Sequence, residues 1–253
     1  MQASSYGTGE LIKFAVSKGY SHIILGLGGT GCCDGGAGAL TALGAAFYDE
    51  NYKKISVPAG SDLNYIFGAG FTNCVKGINF TFASDVESVF YGKNGAAYVF
   101  APQKGADKTQ VEELDEGLKR LNAFLPRDVS ELKGAGAAGG ICGGLYSVYG
   151  GCVKSGFDVL AEHTGLESII EECDLIITGE GKTDEQTLMG KLPFRIAQLA
   201  KKHKKRCAVI SGINESIKLG DLCVSLADGE ITPEYAMQNA REILTKKAKL
   251  LLQ

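Results

Sequence analysis

The sequence is poor in the residues that mark several common classes of protein. It has 3 histidines, and the spacing of His22, His163 and His203 indicates neither a catalytic triad nor a zinc site. None of its 8 cysteines forms a C-x-x-C pair. We therefore expect no metal centre of these residue types, and we expect reduced, mostly buried cysteines, as in a cytosolic protein.

Long apolar runs and an excess of positive charge are also missing. No run approaches the roughly 20 residues of a membrane-spanning helix, and the opening MQASSYGTGELIKFAV lacks the basic and apolar segments of a signal peptide. The net charge is −3, and the basic run KKHKKR at 201–206 is typical of a solvated helix end. We expect a cytoplasmic protein that binds neither nucleic acid nor membranes.

Glycine, in contrast, is abundant. The chain has 35 glycines among 253 residues, well above the usual share of about 7%. Many are grouped, as expected where turns need positive φ or where backbone approaches a ligand closely. Cys32 and Cys33 lie in one such group, so a reactive thiol there is an alternative to a buried one.

The first part of the chain has the pattern of an α/β domain. Apolar spacing predicts a helix from about Gly9 to Ser17, after the cap-rich SSYGTGE, and HIILGL at 22–27 predicts a buried strand. After Leu43 the chain is polar and irregular to about Asp62, and INFTFASD then predicts a strand that ends near Asp85. KTQVEELDEGLKRLNAFL predicts an amphipathic helix whose buried face consists of Val111, Leu114, Leu118, Leu121 and Leu125.

The later part alternates strands and helices. A helix from about Asp158 to Cys173 is interrupted at Gly165, and three strands follow, DLIITGEG, RCAVISGI and DLCVSLAD. Predicted helices, TLMGKLPFRIAQLAKKH and the C-terminal TPEYAMQNAREILTKKAKLLL, alternate with them. We predict an α/β protein of two parts, 1–160 and 161–253, the second a Rossmann-like parallel sheet that is incomplete. An open sheet edge favours self-association, so a homo-oligomer is an expectation.

The stretch GEGKT resembles the end of a phosphate-binding P-loop, but the rest of the motif is absent. The pattern G-x-x-x-x-G-K-[ST] would need glycine at Ile176, where a β-branched residue belongs to a buried strand. We therefore expect a strand that opens into a glycine-rich turn carrying Glu180, Lys182 and Asp184. Such a turn is a candidate site for an anion and a metal.

Four stretches, in order and spanning Ser4 to about Gly212, resemble the glycerate kinases that use ATP and lack a P-loop. They are SSYGTGELI with IILGLGGTGCCDGGAGAL, then SDVESVFYGKNGAAYVFAPQKGA, GAGAAGG, and DLIITGEGKTDEQTLMGKLP. The resemblance implies a middle glycerate-kinase-like domain at 1–160, a Rossmann-like part at 161–253, and phosphorylation of D-glycerate with ATP and Mg²⁺. Counterparts of the family's opening strand and P-D-S-F-K-like loop are absent. A catalytically impaired remnant that binds a ligand or a partner is therefore the alternative.

In the first part, the resemblance implies four sets of candidate residues. The backbone N–H groups of Gly28, Gly29, Thr30 and Gly31 are candidates for binding phosphate. Asp34 is assigned to metal binding or to activating the glycerate hydroxyl, with capping of the next helix as the alternative. Asp85 is assigned to substrate hydroxyls or metal, with a turn-forming aspartate as the alternative. Gln103 and Lys104 suit a phosphate or carboxylate, unless Lys104 is a solvated loop lysine.

In the second part, the resemblance points to the turn after DLIIT. Glu180 and Asp184 are the candidate Mg²⁺ ligands, and Asp184 and Lys191 are the candidate catalytic residues. Gly179 and Gly181 are candidates for contact with the nucleotide. The alternative is a salt-bridged turn with no role in catalysis.

Overall fold

The computed structural model describes residues 1–251, which form two units, Met1–Gly156 and a second unit that begins at Phe157. The sequence analysis placed the division a few residues later. Each unit contains a three-stranded parallel sheet with helices packed on it. The predicted α/β class is confirmed. In the described residues, no helix combines the length and the apolar character that crossing a membrane requires.

The parallel sheet of the first unit has the order β1-β5-β6, with β1 at His22–Gly26, β5 at Asn79–Ala83 and β6 at Cys152–Lys154. The first two strands are the predicted ones, and Leu25 pairs with Phe82 between them. The sequence analysis did not predict β6, because three residues after two glycines carry no periodic signal. The carboxyl ends of β1 and β5 meet at one edge of the sheet.

Five helices surround this sheet: α1 (Tyr6–Ser17), α2 (Ala37–Ala42), α3 (Ala96–Phe100), α4 (Lys108–Phe124) and α5 (Ile141–Tyr149). The long helix α4 begins at a capping box, in which the Asp107 side chain accepts from the Gln110 N–H and the Gln110 side chain accepts from the Asp107 N–H. Its predicted apolar face is buried in the core of the unit. The structure therefore confirms that face.

A small antiparallel sheet has two of its strands where the sequence predicted irregular chain, and its third strand in a stretch for which no element was predicted. Its order is β3-β2-β4, with β2 at Ala46–Tyr48, β3 at Lys54–Ile55 and β4 at Gly68–Gly70. The prediction was wrong because strands of two or three residues show no alternation. The sequence of β4, Gly-Ala-Gly, also contains no residue that favours strands.

The second unit has a parallel sheet of order β7-β8-β9, with β7 at Leu175–Thr183, β8 at Arg206–Asn214 and β9 at Leu222–Ser225. Its helices are α6 (Gly156–Thr164), α7 (Leu166–Glu172), α8 (Leu192–Lys202), α9 (Pro233–Gln238) and α10 (Ala240–Leu250). Side chains of α8 pack on one face of the sheet, and side chains of α9 and α10 pack on the other. The three predicted strands are confirmed.

Two predicted helices of this unit are shorter than expected. The helix predicted from Thr187 begins at Leu192, because Gly190 has a φ of +109° and ends a separate 3-10 turn at Thr187–Met189. The C-terminal helix is divided at Asn239, whose φ is −116°. The ends of these helices depend on the backbone angles of single residues. The spacing of apolar residues in the sequence does not predict such angles.

All 8 cysteines are free, as predicted, but Cys152 and Cys223 are exposed rather than buried. Burial raises the pKa of Cys32 to about 12 and that of Cys33 to about 11. Both thiols therefore stay protonated at neutral pH, and a protonated thiol is a poor nucleophile. Of the two alternatives for this pair, the structure favours buried, unreactive cysteines.

Candidate functional site

In the first unit, the glycine-rich loop after β1 is open to a ligand. The backbone N–H groups of Gly28, Gly29, Thr30 and Gly31 donate to no acceptor within residues 1–251. A Cβ atom added at Gly28, Gly29 or Gly31 would meet no atom within 4 Å, and Gly29 has a φ of +66°. Unpaired N–H groups at the end of a strand are suited to an anion. Phosphate binding by this loop stays a prediction that the geometry favours.

Lys104 brings a positive charge to the same loop. It ends a 3-10 turn at Pro102–Lys104, and its half-buried Nζ donates to the Cys32 carbonyl oxygen at 2.7 Å and to Thr30 Oγ1 at 3.4 Å. Two residues predicted separately, Thr30 and Lys104, are therefore in contact. The neighbouring Gln103 is exposed, and its predicted role in substrate binding stays a prediction.

Asp34 is fully buried, with 0% of its surface exposed, between the first turns of two helices. Its Oδ2 accepts from the Ser5 N–H at 2.7 Å, from Ser5 Oγ at 2.8 Å and from the Gly38 N–H at 3.2 Å. Its Oδ1 accepts from the Gly36 N–H at 3.1 Å, and Ser4 Oγ lies 3.4 Å from Oδ2. The carboxylate thus ties the start of α1 to the start of α2.

This enclosure favours the alternative in which Asp34 caps the following helix, because the N–H groups of Gly36 and Gly38 belong to its first turn. Burial raises the pKa of Asp34, and the hydrogen bonds from Ser5, Gly36 and Gly38 oppose that rise. A catalytic or metal-binding role stays a prediction. The sequence analysis missed Ser5 as a partner, although it identified SSYGTGE as cap-rich.

Asp85 follows β5 at the carboxyl edge of the first sheet. It is exposed, and its Oδ1 accepts from the Gly156 N–H at 2.9 Å. This contact is typical of an aspartate that shapes a turn. Substrate binding by Asp85 stays a prediction.

In the second unit, one buried hydroxyl joins the Glu180 carboxylate to the backbone of Asp184, the two predicted metal-binding residues. Thr187 is fully buried, and its Oγ1 donates to Glu180 Oε1 at 2.7 Å and accepts from the Asp184 N–H at 3.2 Å. The sequence analysis did not select Thr187, although it lies in the quoted stretch KTDEQT. The hydroxyl fixes Glu180 and the turn at Asp184 relative to each other.

Asp184 lies between two lysines. Its Oδ1 is 3.5 Å from Lys191 Nζ and accepts from the Gln186 N–H at 3.0 Å, and its Oδ2 is 3.8 Å from Lys182 Nζ. Desolvation is the largest single influence and acts to raise the pKa of Asp184, but Lys191, the Gln186 N–H and Lys182 together hold that pKa below its ordinary value. The structure therefore brings Glu180, Asp184 and Lys191 together around an ionised carboxylate.

The predicted glycine-rich turn at Gly179–Lys182 is wrong, because β7 continues through these residues to Thr183 and pairs with β8; only Asp184 lies beyond the strand. The two glycines of this segment differ in what they contribute. A Cβ atom at Gly179 would lie 2.2 Å from the Ile210 carbonyl oxygen, so the pairing of β7 with β8 requires glycine there. A Cβ atom at Gly181 would meet nothing within 4 Å. Gly181 is thus open to a ligand, and nucleotide binding by either glycine stays a prediction.

A hollow of about 410 Å³ lies beside Glu180 on the carboxyl halves of β7 and β8. Gly179, Gly212 and Ser211 contribute to its lining. The Ser211 hydroxyl is buried and has no hydrogen-bond partner in the part of the chain that the structure describes. Open parallel sheets bind ligands at the carboxyl ends of their strands, so this hollow is a plausible place for a ligand.

Within residues 1–251, no group of three or more His, Cys, Asp or Glu side chains could hold a metal ion. Mg²⁺ usually takes only one or two carboxylates from a protein and completes its shell with substrate phosphates and water. Glu180 and Asp184, joined through Thr187, fit that smaller requirement.

The whole chain matches one known family. A sequence model described as the glycerate kinase family matches residues 1–253. The chain belongs to this family. Within the glycerate kinase family, it is 44% identical over 202 residues to a glycerate kinase of Bacillus cereus, which covers 77% of this chain and 53% of the relative. It is 40% identical over 215 residues to the glycerate 2-kinase of Escherichia coli, covering 83% of this chain and 56% of the relative.

A solved structure agrees with this assignment. The crystal structure named as glycerate kinase 2 from Salmonella typhimurium LT2 aligns with a TM-score of 0.78 at 34% identity, covering 98% of this chain and 70% of that one. The chain spans about half the length of the first two curated relatives. The comparisons therefore establish the family of this chain. Its activity is proposed below.

Proposed function

We propose that this glycerate kinase family member transfers the γ-phosphate of ATP to a hydroxyl of D-glycerate, giving phosphoglycerate and ADP. The observation that carries the proposal is the cluster at the carboxyl end of β7, where an ionised Asp184 lies between Lys182 and Lys191 and its backbone is joined to Glu180 through Thr187. Relatives named glycerate kinase and glycerate 2-kinase support the choice of substrate.

Phosphoryl transfer requires positioned phosphates, charge stabilisation and an oriented hydroxyl. In our proposal, Glu180 and Asp184 hold Mg²⁺ together with the phosphates of ATP. Once bound, the ion would offset negative charge on the transferring group. Lys191 directly precedes α8 and would place its positive charge against the same phosphates. Gly181 leaves room for the nucleotide, and Gly179 keeps β7 close to β8.

The first unit supplies a separate set of anion-binding groups. We propose that the free N–H groups of Gly28, Gly29, Thr30 and Gly31 bind a phosphate or the carboxylate of glycerate. Lys104 is held against this loop and adds a point charge, and Asp85 and Gln103 are exposed near strand and turn ends, where they would bind substrate hydroxyls.

The wider features of the protein are also proposals. We propose a middle glycerate-kinase-like domain in the first part and a Rossmann-like part in the second. We propose a cytoplasmic enzyme whose partner is a small organic acid, with no nucleic acid or membrane partner. Because β7 is an edge strand of its sheet in the described residues, we also propose a homo-oligomer.

One observation favours a second candidate function. Asp34 was the predicted activator of the glycerate hydroxyl, yet both of its oxygens are engaged and its surface is 0% exposed. If no other group replaces it, the chain would bind ligands without phosphorylating them. This is the remnant hypothesis, in which the protein binds a ligand or a partner.

Release of ADP distinguishes the two functions. The assay couples ADP formation to a fluorescent readout with ATP, Mg²⁺ and D-glycerate. D-lactate, which lacks one hydroxyl, and ATP alone serve as controls. The assay is run on this chain alone and on a fusion that carries the leading segment of a glycerate kinase relative at its N-terminus. ADP release that depends on glycerate supports the kinase, whereas no release from either version, together with retained ligand binding, supports the remnant.

A further inference from the structure

The connection from β8 to β9 is unusually short for two parallel strands. Only Glu215 to Asp221 lie between the strands, and they contain no helix. Parallel neighbours are usually joined by a dozen or more residues that form a helix on the face of the sheet. From this connection, Ile217 and Leu219 pack beside α8 in the core of that face. The short crossover leaves space where a second helix would lie.

A hollow of about 930 Å³ occupies this space, and we name it the α8 hollow. Its apolar lining includes Phe194, Ala197 and Leu219. It lies at the amino ends of β8 and β9, because Arg206, the first residue of β8, and Asp221, which directly precedes β9, both line it. It is therefore at the opposite edge of the sheet from Glu180.

Positive charge surrounds the hollow. Five of its lining side chains are cations that form no ion pair with any acid in residues 1–251: Lys201, Lys204, Lys205, Arg206 and Lys218. The sequence analysis attributed most of these residues to a solvated helix end. The structure confirms an exposed helix end, and it adds that all five residues, from α8, the turn before β8, the start of β8 and the crossover, line one cavity.

The few acidic groups nearby do not cancel this charge. Lys202 also lines the hollow, but it is paired with Glu167. Asp221 is the single carboxylate among the lining residues, and its Oδ2 accepts from the Cys207 N–H at 2.7 Å. The hollow therefore keeps a large excess of uncompensated positive charge in a protein whose net charge is −3.

We propose that the α8 hollow binds a compact organic polyanion, a molecule with two or more phosphate groups on an aromatic or apolar frame. Lysine ammonium groups suit phosphates as point charges, and the side chains of Phe194 and Leu219 suit the frame. The volume lies within the range of small-molecule pockets, roughly 300–1,000 Å³. Because the hollow lies at the opposite sheet edge from Asp184, it is a second binding site.

The test measures binding of a fluorescent aromatic trianion, pyranine trisulfonate, by titration and anisotropy. The hollow variant carries Lys201→Gln, Lys205→Gln and Lys218→Gln. The control variant carries Lys13→Gln, Lys108→Gln and Lys249→Gln, three exposed lysines outside the hollow, so that both variants have the same net charge. We expect binding at least about tenfold weaker in the hollow variant and within about twofold of the unmodified protein in the control.

Lys204 provides a substitution that does not disturb the backbone. Its φ is +55°, a left-handed value that glycine adopts without strain. Lys204→Gly therefore removes one charge from the hollow while favouring the native turn. We expect weaker pyranine binding with an unchanged or raised melting temperature, which separates a lost binding contact from a damaged fold.

Competition identifies the chemistry of the ligand. We expect inorganic tripolyphosphate to displace pyranine from the unmodified protein at lower concentration than citrate does. Equal pyranine affinity in the hollow and control variants would overturn the proposal. Displacement by an acidic helical peptide but not by tripolyphosphate would also overturn it, and would assign the hollow to a protein partner.

Discussion

The two units each place an aspartate in a glycine-rich turn, and the two aspartates have opposite surroundings. Asp34 is enclosed, and backbone and serine donors occupy both of its oxygens. Asp184 is partly exposed, with 18% of its side chain accessible, and two lysines flank it. The comparison teaches that a motif fixes where a carboxylate lies in the chain. The donors around it decide whether it remains available to a ligand.

The largest expected effect comes from removing the enclosed carboxylate. Asp34→Ala leaves the N–H groups of Ser5, Gly36 and Gly38 buried without an acceptor. We expect the free energy of unfolding to fall by about 3 kcal/mol or more, measured by urea denaturation. Asp85→Ala is the control, because Asp85 is exposed, and it should change stability far less. If the Asp34→Ala protein had normal stability but released no ADP, Asp34 would be a catalytic residue and not a structural one.

The next effect concerns the hydroxyl that joins Glu180 to Asp184. Thr187→Val removes both hydrogen bonds of a fully buried side chain. We expect a loss of about 1 kcal/mol in unfolding free energy and a fall in the rate of glycerate-dependent ADP release of about tenfold.

Thr183→Val is the matched control for that experiment. Thr183 is also 0% exposed, but its hydroxyl has no hydrogen-bond partner among the described residues. Replacing it should leave stability unchanged or raise it. Equal losses from the two substitutions would show that Thr187 does not organise the cluster.

The dependence of unfolding free energy on acid pH gives a further test of the difference between the two aspartates. The pKa of Asp184 is lower in the folded protein than its ordinary value, which is about 3.9 in an unfolded chain. The stability that the ionised Asp184 contributes is therefore present above the unfolded pKa. It is lost as the pH falls through the lower pKa of the folded protein. We expect Asp184→Asn to remove this part of the pH dependence, measured by urea denaturation from pH 2 to pH 7. An unaltered pH dependence would mean that the lysines do not stabilise the carboxylate.

The smallest effect is expected at Lys182, an exposed lysine near the carboxyl end of β7. Lys182 Nζ lies 2.7 Å from Glu215 Oε1, and both side chains are about half exposed. Exposed ion pairs contribute little, so Lys182→Gln should leave the urea denaturation midpoint almost unchanged. A larger change measured in urea would assign Lys182 a structural role that its exposure does not suggest.

The sequence predicted the features that depend on repeated patterns. The strands β1, β5, β7, β8 and β9 and the apolar face of α4 follow from apolar runs and helical spacing. The antiparallel sheet around Phe47 and the break at Gly190 could not be predicted, because they depend on distant pairing and on a single φ angle. The same limit applies to the candidate site: the motif contained Asp34 and Asp184 alike, but only the fold shows that Ser5 encloses one and Thr187 organises the other.

The most direct test of this account measures glycerate-dependent ADP release by Asp184→Asn under saturating ATP, Mg²⁺ and D-glycerate. The test uses whichever protein, this chain alone or its fusion to the leading segment of a relative, releases ADP before substitution. We predict a fall in rate of about 100-fold or more, with a urea denaturation curve at pH 7 close to that of the unmodified protein. An unchanged rate in a folded Asp184→Asn protein would contradict the assignment of the chemistry to the turn after β7.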